Sequence, residues 1–284
     1  MYNNLNDRRP GDSPAVSERV PRKPTATSSF GVGRREGHDA SAFYARFTPP
    51  EITNDDTVNF WTPSNPFMCG DASDMRDIPD CCVALVVTSP PYFVGKEYEE
   101  ALGQGHVPAT YLAYLDMLYR VFKECKRVLE PGGRIAVNVA NLGRKPYRSL
   151  SADVIGILQD QLGFLLRGEV IWRKGEGASS SCAWGSFGQV TNPSLRDLTE
   201  RVIIASKGRF DRALSVKQRQ ARGLPYEGVA ESCDEFMEAT LDVWDIAAES
   251  ARRVGHPAPF PVELPQRLIE LYTFKGDLVL DPFM

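Results

Sequence analysis

Histidine is scarce in this 284-residue chain, with three in all, and none of the six cysteines (Cys69, Cys81, Cys82, Cys125, Cys182, Cys233) belongs to a Cys-x-x-Cys pair. Without such spacings there is no metal-ligand array, so no bound metal is expected. The cysteines read as reduced core thiols, which places the chain in the cytoplasm. Long apolar runs are missing too: no stretch approaches the roughly eighteen residues of a membrane span, and no signal-peptide core opens the chain. Neither a membrane partner nor secretion is expected. Charge of one sign is also lacking, with 33 Lys and Arg against 37 Asp and Glu and a net charge of -4. Any nucleic-acid contact must therefore come from local basic patches rather than from overall charge.

What is present is enough apolar residue, 42% of the chain, for one large core. Residues 1–42 are rich in Arg, Pro, Ser and Gly without sustained periodicity, and read as a disordered basic and polar arm. From residue 43 to 284 strand-like and helix-like segments alternate, the pattern of an α/β domain with a mostly parallel sheet and helices on both faces. Val83 to Thr88 is a continuous apolar strand. Tyr111, Leu115, Leu118, Phe122, Cys125 and Leu129 form one stripe of a helix over 109–129. Glu130 to Arg134, "EPGGR", reads as punctuation before a strand at Ile135 to Ala140. A helix capped by Ser151 carries Val154, Ile155, Leu158 and Leu162 on one face. Short strands follow at Glu169 to Trp172 and Val202 to Ala205. A helix at Pro265 to Phe274 and a strand at Leu278 to Leu280 complete the pattern. Residues 175–185 and 207–235 read as irregular.

The chemistry concentrates in "VVTSPPYF", Val86 to Phe93. A buried strand delivers its end to the carboxyl edge of the sheet, where open α/β sheets bind ligands. Pro90 and Pro91 stiffen the backbone and remove two N–H donors, leaving carbonyl acceptors without competition. Ser89 adds a hydroxyl, and Tyr92 and Phe93 add flat apolar faces. Together they suit a planar group bearing an NH2. An exocyclic base amine is a poor nucleophile because its lone pair is delocalised into the ring. Acceptors for its two protons localise that pair, so this pocket suits methyl transfer to such an amine. A base within a duplex reaches the pocket only when flipped out, and Tyr92 is the expected stacking platform.

"TSPPY" resembles the catalytic motif of beta-class DNA amino-methyltransferases, in the Ser-Pro-Pro-Tyr form associated with cytosine N4 methylation. Adenine N6 enzymes more often carry Asp at the Ser position. "CGD" (Cys69 to Asp71), "RVLEPGGRIAVNV", "EVIWRK", "AWGSFGQVTNPSLRDLTERVIIASKG", "HPAPFPVELPQRLIELY" and "LVLDPFM" resemble further blocks of the class in its order, over residues 55–284. The resemblance implies a circularly permuted Rossmann-like sheet that uses S-adenosyl-L-methionine. The catalytic motif comes first, with Ser89, Pro90, Pro91 and Tyr92 as catalytic residues. Asp71, Thr88, His256, Pro259, Phe260, Asp281, Pro282 and Phe283 are implied at the cofactor. The glycines that follow "DPF" in the class do not occur before Met284, so the resemblance implies a sheet incomplete at its C-terminal end.

The implied substrate is double-stranded DNA in a restriction-modification setting, with a cognate restriction endonuclease encoded nearby. Alternatives are adenine N6 methylation by the same site and a non-catalytic DNA-binding remnant. Target recognition is expected within 93–110 and 173–250. Lys207, Arg209, Arg212 and Lys217 form a basic stretch suited to phosphates, with only Asp211 opposing them. Trp184 lies in a loop suited to closing over DNA, and Asn192 and Arg196 carry side chains able to read base edges.

Overall fold

The computed structural model describes residues 51–93, 108–141, 146–175, 185–230, 232–255 and 259–284. The arm at 1–42, most of the segment 93–110, Trp184 and His256 lie outside the described residues.

β1 (Val83–Thr88) is the apolar run, and all six of its residues are buried. A strand buried on both faces needs no polar alternation, which is why the run is continuous. α1 (Tyr111–Val128) begins at Thr110, whose hydroxyl accepts the Ala113 N–H, and buries Tyr114, Leu118, Val121, Phe122, Cys125 and Val128. It passes directly into β2 (Leu129–Val139).

The strand therefore starts earlier than its Pro-Gly-Gly sequence suggests. Val83 pairs with Leu129 and Leu85 with Arg134, so Pro131 to Gly133 bulge out of an otherwise continuous ladder. Gly132 sits at φ 76°, and a Cβ there would overlap the Asp211 backbone carbonyl. Only glycine satisfies both the conformation and the approach.

α2 (Leu150–Ile155) is capped by Ser149, not Ser151. Ser151 is instead buried and bonded through its hydroxyl to Asn141. The helix continues as a π turn (Gly156–Gln161), in which the Leu162 N–H reaches the Ile157 carbonyl. Ile157 joins Val154, Leu158 and Leu162 in the core at spacings of three and four, whereas Ile155, expected on that face, is only partly buried.

β3 (Leu165–Arg173) and β4 (Thr199–Ser206) are longer than their apolar centres. α3 (Val216–Ala221) and α4 (Cys233–Ala239) order parts of the stretch read as irregular. β5 (Val243–Asp245), α5 (Ala251–Val254), α6 (Glu263–Tyr272) and β6 (Val279–Leu280) follow.

The six strands form one sheet in the order β5-β3-β4-β2-β1-β6. β4 runs antiparallel to both β2 and β3, and the other pairs are parallel. The expected mostly parallel sheet is thus a mixed one with a single reversed strand. β1 and β6, first and last of the six strands, are parallel neighbours, with Leu85 opposite Val279 and Val86 opposite Leu280. Alternate residues feed two cores. Val86, Ile135, Val137, Ile203 and Ala205 join α1 and α2, while Leu85, Val87, Ala136, Val202 and Ile204 join Leu264 and Leu268 of α6. None of the described helices is long and apolar enough to cross a membrane.

Candidate functional site

The carboxyl end of β1 sets the site. Thr88 is buried, and its hydroxyl donates a 2.6 Å hydrogen bond to Asp281 Oδ1 at the end of β6. The same oxygen accepts the Phe283 N–H at 3.0 Å, so the "DPF" turn is folded around the carboxylate. Burial pushes the Asp281 carboxyl above its ordinary value, opposed by the bonds from Thr88 and Phe283.

Asp281 and Pro282 line a cleft of about 610 Å³ whose other walls come from residues between 66 and 78, from Val87, Val279 and Leu280 at the strand ends, and from Phe260, Pro265 and Ile269. Asp71 lies on its rim, with a carboxylate that accepts the Ser73 N–H at 2.8 Å. Hydrogen bonding by Ser73 holds Asp71 below the usual carboxylate range. The cleft therefore joins apolar walls suited to a heterocycle with acidic groups, Asp71, Asp74, Asp77 and Asp281, suited to hydroxyls or a cation. Of the residues predicted at a cofactor, Asp71, Phe260, Asp281 and Pro282 meet there, and Thr88 holds the wall from behind. Phe283 packs against the core on the α1 side, and Pro259 is half-buried beside Phe260.

Ser89, next to Thr88, is half-buried, and Pro90 is buried. Tyr92 differs from expectation. Its ring is 5% exposed within the core, so it presents no open face on which a base could stack. Its hydroxyl instead donates to Glu200 Oε2 at 2.8 Å and lies 3.0 Å from Ser89 Oγ. Phe93 is held by stacking on Tyr114, with centroids 5.4 Å apart.

Three residues that sequence reasoning missed complete this network. Asn138 Nδ2 donates to Glu200 Oε2 at 2.6 Å and to the Tyr92 hydroxyl at 3.1 Å. Lys174 Nζ pairs with Glu200 Oε1 at 2.5 Å. Asn138 pairs with Val202, and Glu200 with Trp172, so the Asn138 and Glu200 side chains emerge on the face of the sheet that bears Val202 and Trp172. The available signal was a polar residue inside each apolar strand, Asn138 in "IAVNVA" and Glu200 in "TERVIIA".

The predicted phosphate-binding stretch lies elsewhere. Ser206, the last residue of β4, pairs with Arg134, which itself pairs with Leu85 near the start of β1, so residues 207–222 begin at the edge of the sheet opposite Ser89. Lys207 is bonded to the Leu129 and Arg127 carbonyls, and Arg209 to the Asp55 carbonyl. Arg212 bridges Glu130 and Asp277, and Arg219, 4% exposed, pairs with Asp277 over the Phe274 ring. Arg212 and Arg219 are internal struts, and Lys207 and Arg209 are half-buried ties to backbone carbonyls. Lys217 is exposed at the same edge. Asn192 and Arg196, by contrast, are exposed on the loop that leads into β4 at the Ser89 end. Val190 and Leu195 on that loop are also almost wholly exposed, Leu195 at 98%.

A family model described as DNA methylase, of the N6/N4 type, matches residues 83–284. The Type II beta methyltransferase M.BslI of Bacillus sp. (strain NEB-606) is 29% identical over 224 residues, covering 74% of this chain. The Type II methyltransferase M.MjaI of Methanocaldococcus jannaschii is 27% identical over 256 residues, covering 78% of this chain. The matched region spans 22% of the length of the first relative and 81% of the second. Among solved structures, a Thermus thermophilus protein assigned as a DNA modification methylase, crystallised with S-adenosyl-L-methionine, is 29% identical with a TM-score of 0.53. That match covers 75% of this chain and 78% of the other. The PvuII DNA methyltransferase (cytosine-N4-specific) shares the fold at 20% identity and a TM-score of 0.53, over 75% of this chain and 71% of its own.

Proposed function

The chain belongs to the DNA methylase family of the N6/N4 type, and on that basis we propose that it methylates the exocyclic amine of a flipped-out base in double-stranded DNA, with S-adenosyl-L-methionine as donor. The observation that carries the reading is the Thr88–Asp281 bond. It ties the wall of the acidic, apolar cleft to the residue immediately before Ser89, so a donor pocket and an acceptor hydroxyl share one rigid joint.

The donor fits the cleft. Phe260, Ile269, Ile78 and Leu280 offer apolar walls for its adenine, and Asp71 and Asp281 offer carboxylates to its hydroxyls and ammonium group. When bound, S-adenosyl-L-methionine supplies a methyl group already activated on a positively charged sulfur. The remaining work falls to the acceptors. Ser89 Oγ and the Pro90 carbonyl accept hydrogen bonds from the amine, and Pro91, having no N–H, leaves that carbonyl without a competing local donor. Accepting both amine protons concentrates the nitrogen lone pair for in-line attack.

Serine at position 89 supports cytosine N4 as the target, and the Type II names of the relatives support a restriction-modification setting with a cognate endonuclease that recognises the same site. The loop carrying Asn192 and Arg196 supports base and phosphate contacts at the Ser89 end.

Incubating the full-length protein with DNA and S-adenosyl-L-methionine, then digesting the DNA to nucleosides for mass spectrometry, tests the reading. N4-methylcytosine is expected. N6-methyladenine would reassign the target base, and unmodified nucleosides would overturn the proposal. Ser89→Ala should slow methylation by about a hundredfold, the usual scale for losing one preorganised hydrogen-bonding group.

A further inference from the structure

Counting protons along the buried network beneath Ser89 gives it a direction. Glu200 has Lys174 on Oε1 and receives two donors on Oε2, from Tyr92 and Asn138. Tyr92 is the donor in its bond to Glu200 Oε2, with Lys174 on the other oxygen, so the one proton of the Tyr92 hydroxyl is committed to Glu200. Both N–H bonds of the Asn138 amide point the same way, to Glu200 and to the Tyr92 oxygen. The reverse amide orientation would aim its carbonyl at the carboxylate. The cost of the orientation adopted is visible, since Asn138 Oδ1 is buried without a hydrogen bond.

The contact between Ser89 Oγ and the Tyr92 hydroxyl, 3.0 Å long, has no donor assigned by distance alone. Tyr92 has no second proton to give, so Ser89 must be the donor. With its proton turned inward, Ser89 keeps its oxygen lone pairs for accepting. We infer that Glu200, with Lys174 and Asn138, is a positioning residue that fixes Ser89 as a hydrogen-bond acceptor, acting through the Tyr92 hydroxyl.

This inference rests on the methylation reading above, and it gives Tyr92 a role its buried ring allows. An exocyclic amine has two protons to donate, and a serine free to rotate would spend part of its time presenting a proton to that amine. Anchoring the hydroxyl from below removes the unproductive state before the base arrives, which is preorganisation in the strict sense. The device acts on turnover, because a misdirected hydroxyl still leaves a pocket of the same shape.

The test is a double-mutant cycle on the full-length protein, with DNA methylation and DNA affinity both measured. Tyr92→Phe keeps the ring and leaves the Glu200–Lys174 pair intact, while Glu200→Gln removes the charge that commits the tyrosine proton. Each should lower kcat by about ten- to a hundredfold with little change in KM for DNA. In the Ser89→Ala background both substitutions should have no further effect, because the group they orient is gone. Losses that multiply in that background, or full activity of Tyr92→Phe, would overturn the inference. If Glu200→Gln does not fold, Tyr92→Phe carries the cycle alone. Wild-type protein that leaves DNA unmethylated refutes the parent reading instead, so the two failures are distinguishable.

Discussion

Thr88 and Asp281, 193 residues apart in the chain, are joined by a 2.6 Å hydrogen bond between a buried hydroxyl and a mostly buried carboxylate. That bond fastens β1 to the turn after β6 and so holds the end of β1 that leads into Ser89 against the wall of the cleft.

Thr88→Val keeps the shape of the side chain and deletes the donor. It should destabilise the protein by about 1–3 kcal/mol in urea unfolding, the cost of leaving a buried acceptor with one fewer partner. It should also change the pH dependence. Burial already raises the Asp281 carboxyl and the Thr88 bond opposes that rise, so the variant carboxyl should titrate higher still. A raised acid binds its proton more tightly folded than unfolded. Stability attributable to Asp281 is therefore greatest at low pH and falls as pH climbs from the ordinary carboxylate value through the raised one. On the proposed reading, in which Asp281 faces the cationic donor, calorimetry across pH should show donor affinity weakening on acidification, at a higher pH in Thr88→Val than in wild type.

Arg212 and Arg196 should part company in the same pair of assays. Arg212→Gln strands Glu130 and leaves Asp277 to Arg219, and should cost about 3 kcal/mol or more of stability, as breaking a buried pair from one side does. The salt dependence of DNA binding should not change. Arg196→Ala should leave the unfolding midpoint in place while reducing the slope of log affinity against log salt by about 1.

Gly132→Ala should be among the most damaging single changes in the chain. The added methyl meets the Asp211 backbone carbonyl at a positive φ, and neither side of that contact is a flexible side-chain end. A loss of about 3 kcal/mol or more, or failure to accumulate as soluble protein, is expected, measured by denaturant unfolding beside wild type.

The architecture was legible where one physical demand dominated a segment. Val83 to Thr88 reads as a doubly buried strand because its run is apolar up to the closing threonine, and α1 reads as a helix because its apolar positions recur at three and four. The start of β2 was not legible, because Pro-Gly-Gly signals a turn and only the Asp211 backbone reveals it as a bulge within a ladder. The arginines of residues 207–222 mislead for a related reason. A run of charge does not disclose its partners, and Glu130 and Asp277 are supplied by distant segments of chain. Tyr92 was placed beside Ser89 by sequence, but the direction of its hydroxyl is decided by Glu200, which arrives on a strand 108 residues later.

The pairing of β1 with β6 also sets the order in which the molecule is assembled. β1, α1 and β2 are contiguous and can dock as soon as they are made, whereas β6 must close a loop of nearly the whole domain before a single ladder bond forms. A nascent chain therefore holds its Ser-Pro-Pro-Tyr segment long before it has a cleft beside it. The wall of the cleft formed by Val279 to Pro282 is supplied only once the sixth strand has been made.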